Sequence, residues 1–403
     1  MGHIKMYKGI NNEDNMKLVI IMVIFFLSSL YLISPVVSFF SMIAFLSLVN
    51  IDDKGTRILF TIFAIVAGVT IYSSRFVHPV ELGGDDFSNQ YQPLFEYLAN
   101  GGSIWDSKFG GGVEFGLPLI YKLISYINPK ATPYELFFTV SFICCVSFYF
   151  WIELFFIKDV PTKYKSLCIA SFLLFFGFFI TTQLIRQALS SVFIVYAISY
   201  LHSGKKNKGI IFSILAITFH LTAVAIIPII YLLMYGKNRA KFLVFISFLF
   251  FGLLFSVFLG FISSGEVFSV IASKFLYYNQ NTDSSGTSAY YWKILLIFTF
   301  GLLVFKKNSS YKEYKSLLIY GTLCYLSLIK IPFASDRTFM VLVIYLLGLI
   351  AFIVFNPVLK FYRVIILFLC LYRALTLGPF YDLNCYDNAL CLWTNIHWYG
   401  NFF

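Results

Sequence analysis

The chain has 403 residues, 59% of them hydrophobic and only 12% charged, with 49 Phe and 28 Tyr. A soluble domain carries about 25% charged residues, so this composition excludes an ordinary soluble fold and points to a polytopic helical membrane protein. The net charge of +11 does not indicate a nucleic-acid partner, because the Lys and Arg sit mostly in short loops between apolar runs, where they act as topology signals.

A helix needs about 20 apolar residues to cross a bilayer, and runs near that length recur from end to end. The expected fold is all-α: one transmembrane domain over 1–403, a bundle of about 12–14 membrane helices. Residues 1–17 carry Lys5, Lys8 and Lys17 and are placed in the cytoplasm, with no cleavable signal peptide evident. Spans follow at 18–34, 36–50 and 58–74, the last two separated by a basic loop with Lys54 and Arg57. The longest polar stretch, 75–133, is expected outside; its segment 115–127 is apolar but short, and lies at the interface or re-enters. Further spans are expected at 134–157, 166–182, 187–202, 209–220 and 221–236.

The last two of these could instead form one helix through His220. A hairpin is preferred, because Lys205–Lys208 on one side and Lys237, Arg239 and Lys241 on the other both belong in the cytoplasm. Spans at 242–262, 292–305, 316–330, 338–355 and 364–378 complete the set, with a second outside loop at 263–291 and an outside tail at 379–403. This topology leaves 20 Lys and Arg inside and 10 outside. Cys385 and Cys391 in the tail either form a disulfide, as an oxidising compartment allows, or remain two thiols.

The ionisable residues at span ends carry the functional reading. The stretch Thr181–His220 holds Arg186 at the start of one apolar run and His220 at the end of the next, so both reach the outer face. Arg75, Arg337 and Asp336 join them there. A guanidinium binds phosphate oxygens bidentately and keeps its charge, so this group suits an anion such as a lipid-linked diphosphate. The bland alternative is that each arginine snorkels to headgroups or pairs with an acid. His220 either serves a substrate hydroxyl as acid, base or hydrogen-bond partner, or packs as a structural histidine. Asp85, Asp86 and Glu114 lie in glycine-rich loops suited to a sugar, and Tyr91 and Trp105 can stack on sugar faces or anchor at the interface. No nucleotide-binding, nucleophile-elbow or metal-ligand motif is present; neither a metal nor a cofactor is expected.

Four segments in order resemble the EpsG-type branch of the Wzy polysaccharide polymerases. They are GGDDFSNQY with PLFEYL; VEFGLPLIYKLI, with Glu114 and Gly116; RQALSSVFIVYAISYL followed by KKNKGIIFSILAITFHLTAVAIIPIIYLL, with Arg186, Gln187 and His220; and SDRTFMVLVIYLL, with Arg337. The third is the distinctive one. The family often has a basic residue before the Gly-Asp segment, where this chain has Glu81 and Leu82.

The resemblance implies a bacterial inner-membrane enzyme, with its active face in the periplasm. Such an enzyme transfers a growing O-antigen or exopolysaccharide chain from undecaprenyl diphosphate to the non-reducing sugar of an undecaprenyl-diphosphate-linked repeat unit, beside a Wzz-type chain-length regulator. It would place the diphosphate on Arg186 and Arg337, and the acceptor hydroxyl at His220, Asp336 or Glu114. Arg75, Asp85, Asp86, Tyr91 and Gln187 would contact substrate. Another polyprenyl-linked sugar transferase, an O-antigen ligase and a lipid-oligosaccharide flippase remain alternatives. A transporter would more often show internal repeats and polar residues at mid-bilayer.

Overall fold

The computed structural model describes residues 12–75, 77, 85–105, 112–263, 288–304, 311–329, 331–357 and 361–376. All regular structure among them is helical. The expected loop at 263–291 lies almost wholly outside the described residues, and the tail with Cys385 and Cys391 entirely so.

Helices α1 (Asn12–Ser29), α2 (Pro35–Leu48) and α3 (Lys54–Ser73) open the chain. Helix α2 starts where the Ser34 hydroxyl accepts the Val37 N–H and Pro35 presets the first turn; Asp53 caps α3 in the same way through the Thr56 N–H. A π-turn at Phe87–Tyr91 leads into the short α4 (Gln92–Ala99), and α5 (Gly116–Ile127) follows. Helix α6 (Pro133–Trp151) begins with a capping box of Thr132 and Glu135 and runs on through a π-turn and a 3-10 turn to Asp159. Next come α7 (Lys165–Phe175), α8 (Phe178–Gln183), α9 (Ile185–His202), α10 (Lys206–Phe219) and α11 (Ala223–Tyr235). The remainder are α12 (Asn238–Ser263), α13 (Ser288–Val304), α14 (Lys312–Ser327), α15 (Pro332–Thr338), α16 (Leu347–Phe355) and α17 (Tyr362–Thr376).

Among the described residues two helices, Lys54–Ser73 and Pro133–Asp159, are long and apolar enough to cross a membrane, and five shorter ones are also apolar. Helix α5, at about 18 Å by its twelve residues, is one of the shorter apolar helices. The break expected at His220 is present: α10 ends at Phe219, His220 is extended (φ −156°, ψ 121°), and α11 begins three residues later. The stack of His202 on Tyr235, with ring centroids 3.6 Å apart, places the end of α11 beside the end of α9, where α10 begins. Helices α10 and α11 are therefore the two arms of a hairpin.

Two expected continuous helices are broken. The run 166–182 divides at Phe176–Gly177 into α7 and α8. Phe176 and Phe178 are both buried, and their rings meet edge to face at 4.9 Å within a cluster that includes Phe148 and Tyr345. Residues two apart point to nearly opposite sides of an α-helix, so these two rings can meet each other only if the helix is interrupted. The run 338–355 divides likewise into the end of α15, a π-turn at Val341–Tyr345 and α16.

Arg57 corrects the reading of its loop as a simple topology signal. It is 2% exposed, and its Nε and Nη2 donate to the two oxygens of Glu153 at 3.1 Å each. Nη1 donates to the Ile51 carbonyl at 3.2 Å, and the Tyr149 hydroxyl donates to Glu153 Oε1 at 2.9 Å. This network lies at the Lys54 end of α3; Arg75 lies just beyond the other end. The buried Lys241, donating to the Met234 carbonyl at 3.3 Å, and the His202–Tyr235 stack mark corresponding ends of later helices.

Breaking a buried pair strands a charge and costs about 3–5 kcal/mol, while replacing both partners with apolar groups is often neutral. Thermal melting of detergent-purified protein should show Arg57→Met and Glu153→Leu each strongly destabilised. The double variant should recover most of the loss; equal losses in all three would show that the pair is not what holds this end.

Candidate active site

The polar residues at the Arg75 end of α3 come from six elements. Glu114 is their centre. It sits in the short segment between a turn at Gly112 and the start of α5, and is 4% exposed. Gly112 has φ +90°, a conformation that side-chain-bearing residues rarely adopt. Gly116, in the first turn of α5, lies so close to α10 that a Cβ there would stand 2.8 Å from the Phe219 ring. These two glycines bring Glu114 against the end of α10.

Three groups converge on the Glu114 carboxylate. His220 Nδ1 lies 2.9 Å from Oε1, and the Leu221 backbone N–H donates to the same oxygen at 2.7 Å. Arg186 Nη1 donates to Oε2 in a charge-assisted bond. Burial alone would raise the carboxyl's pKa. The His220 hydrogen bond, the Leu221 N–H and the Arg186 charge outweigh it and hold the group below its ordinary value of 4.5. An ionised carboxylate only accepts, so Nδ1 of His220 carries a proton toward Glu114; in the neutral form of the ring that leaves the lone pair on Nε2.

Arg186 lies in the first turn of α9, the end where the helix dipole is positive and a cation is disfavoured. A cation added to a helix N-terminus makes a strongly anion-attracting locus. Its Nε makes a long contact of 3.5 Å to the Tyr91 hydroxyl, with the guanidinium 5.8 Å from the ring centroid. The charges of Asp86 and Arg337 also reach Tyr91. Burial pushes the Tyr91 phenol up, so it stays protonated. Gln187, next along α9, donates from Nε2 to the Arg337 carbonyl at 2.5 Å and fixes α15 beside α9.

The structure therefore brings Asp86, Tyr91, Glu114, Arg186, Gln187, His220 and Arg337 together. Arg75 and Asp85 lie close by and pair with each other. Arg75 donates to Asp85 Oδ2 at 2.6 Å and to the Thr182 carbonyl at 3.3 Å, and its guanidinium lies 4.3 Å from the Phe137 ring centroid. Asp85 Oδ1 accepts the Ser88 N–H at 2.9 Å. This pair braces the turn that presents Tyr91. Asp336 faces α14, where the Tyr325 hydroxyl donates to Oδ1 at 2.5 Å. Burial pushes its carboxyl up to about 6, against the lowering effect of that bond.

Sequence reasoning missed two contributors. The Leu221 N–H is a backbone group with no compositional signal. Tyr121 of α5 is fully buried, within electrostatic reach of Tyr91 and Arg75, and its hydroxyl has no hydrogen-bond partner among the described residues.

A family model described as the EpsG family matches residues 79–386, which span every site residue above except Arg75. Comparison with curated proteins and with solved structures finds no match. The chain belongs to the EpsG family, whose members are membrane proteins of polysaccharide biosynthesis.

Because Glu114 is depressed on folding, its contribution to stability is fully present above its unfolded pKa and is lost as pH falls through the folded value. At pH 7 the wild type should exceed Glu114→Gln by about 1–3 kcal/mol, read as a melting difference. That difference should shrink once pH drops below 4.5. A gap independent of pH would show that the carboxylate charge is not what binds these elements.

Proposed function

From membership of the EpsG family, we propose that this chain is a polysaccharide polymerase of the bacterial inner membrane, with Glu114, Arg186, His220 and Arg337 at its periplasmic face. It transfers a growing glycan from undecaprenyl diphosphate to the non-reducing end of an undecaprenyl-diphosphate-linked repeat unit. The observation that carries this reading is the Glu114–His220 pair set beside Arg186: a base held in one tautomer next to a cation suited to a phosphate.

The acceptor hydroxyl oxygen attacks the anomeric carbon of the donor chain. The bond from that carbon to the diphosphate oxygen breaks, and undecaprenyl diphosphate leaves with the electron pair. The hydroxyl proton passes to Nε2 of His220. Glu114 orients the imidazole and stabilises the imidazolium, as the aspartate does in a Ser-His-Asp triad. Arg186 and Arg337 neutralise charge developing on the leaving diphosphate, which is tuned electrostatic stabilisation. Held by three donors and depressed in pKa, Glu114 is a poor base itself; Asp336, turned to Tyr325, is set aside from this step. In this topology the basic ends Lys205–Lys208 and Lys237–Lys241 face the cytoplasm. A Wzz-type regulator would act beside the enzyme.

The test is the polysaccharide profile on gels of a deletion strain complemented with each variant, with membrane levels of the protein checked. The deletion should leave a single repeat unit without a ladder. His220→Ala should lower chain extension about 10²–10⁴-fold, and Arg186→Ala by at least about 10², both at normal protein levels. A deletion that leaves no repeat unit at all on its final acceptor would favour a ligase or flippase and overturn the polymerase reading.

A further inference from the structure

We infer that a groove beside Glu114 and His220 receives the isoprenoid chain of the donor lipid; this rests on the polymerase reading and locates the lipid within it. The groove, about 540 Å³, is lined by Trp105, Val113, Phe115, Ile214, Ile217 and Thr218. Its two walls lead directly to the chemistry. Val113 and Phe115 flank Glu114, and Thr218 precedes His220 by two residues in the last turn of α10.

The lining side chains are apolar and aromatic apart from the Thr218 hydroxyl, which is already satisfied by donating to the Leu215 carbonyl at 2.8 Å. Trp105 packs against Phe115 at 4.6 Å between centroids and is itself 61% exposed, so it forms an outer rim. Beyond the groove, α10 continues as an exposed apolar surface through Ile210, Ile211 and Ile214. Such a surface is suited to lipid.

A sugar is the wrong occupant. A repeat unit needs hydrogen-bonding groups along its path, and burying its hydroxyls against these residues would leave them unsatisfied. The occupant must be apolar and continuous with an anionic head held at Arg186. In the donor, diphosphate and isoprenoid are directly bonded. A diphosphate at Arg186 and Arg337 would direct its first isoprene units toward this groove, past Glu114 and its neighbours Val113 and Phe115. The acceptor's lipid is separated from the reacting hydroxyl by the whole repeat unit, so no such proximity follows for it. The donor lipid is thus distinguished from the acceptor lipid by a slot whose wall residues Val113 and Phe115 flank Glu114, the acid that pairs with Arg186.

The test uses the full-length protein in phosphatidylglycerol nanodiscs with a benzophenone-bearing farnesyl diphosphate analogue, and maps photo-adducts by peptide mass spectrometry. Adducts should fall on Trp105, Gly112–Phe115 or Ile214–Thr218. Excess undecaprenyl diphosphate should suppress them about tenfold or more, as expected when a buried apolar anchor is displaced, whereas added phosphatidylglycerol should not. Ile214→Trp, which fills the slot at an exposed position, should reduce labelling by a similar factor. Ile211→Trp, on the same exposed face but not lining the slot, should leave it unchanged.

Adducts spread over α10 without preference, or suppressed equally by phosphatidylglycerol, would mean an ordinary boundary lipid and would overturn the inference. Equal suppression by farnesol, which lacks the diphosphate, would do the same. The two readings fail separately: labelling does not require polymerisation, so a deletion strain with an intact ladder would sink the polymerase while the mapped adducts still decide the groove.

Discussion

A carboxylate placed almost wholly out of solvent must have its charge and lone pairs met by neighbouring groups. Glu114 is met from two directions, by Arg186 at the start of α9 and by His220 and the Leu221 N–H at the break between α10 and α11. Each of those partners is disfavoured where it stands. Arg186 occupies the positive end of a helix, and His220 interrupts an apolar run that would otherwise continue as one helix. The carboxylate compensates both, and the three elements are consequently held at fixed mutual positions. Binding strength and chemical readiness come from the same contacts, since the bond that orients His220 also keeps Glu114 ionised.

The break at His220 shows why polar chemistry collects at helix ends in an apolar bundle. Within a helix every backbone N–H is committed; at a break, groups such as the Leu221 N–H become available to an anion. The other end of the bundle obeys the same rule with a different result. Arg57 meets Glu153, two backbone carbonyls and, through Glu153, Tyr149, and all its partners belong to the protein. That network is closed. The one around Glu114 includes a ring nitrogen of His220 that the Glu114 bond does not use and leaves the Oε1 of Gln187 without a hydrogen-bond partner among the described residues, and an apolar groove is lined by the chain neighbours of Glu114. An incoming substrate has something to complete at one end and nothing at the other.

Much of the candidate site was legible from residue type and position. An arginine and a histidine at opposite ends of consecutive apolar runs are brought to one face by the alternation of helix direction, and basic loops set that alternation. The pairing was not legible. Glu114 read as one of several loop acids, and nothing in its neighbourhood separates it from Asp85; yet Asp85 braces Arg75 while Glu114 holds His220. Arg75 and Asp336 also stood at span ends, and local packing paired them away from Glu114, with Asp85 and Tyr325. Arg57 read only as a basic residue of a short loop, because the acid that binds it lies 96 residues away.

The sequence by itself determined that this is an all-helical membrane chain, where most helices begin and end, and which ionisable residues lie at helix ends, because those properties follow from local composition and from the cost of burying charge. It determined the family as well, through segments that preserve residue order. Only the tertiary structure decided which acid meets which base, and that two phenylalanines drawn into one core would split a helix at Phe176–Gly177. It alone showed that Gly116 lets α5 approach Phe219 closely enough to seat Glu114 beside His220. Those outcomes depend on contacts between residues far apart in the chain, whose distances no local pattern encodes.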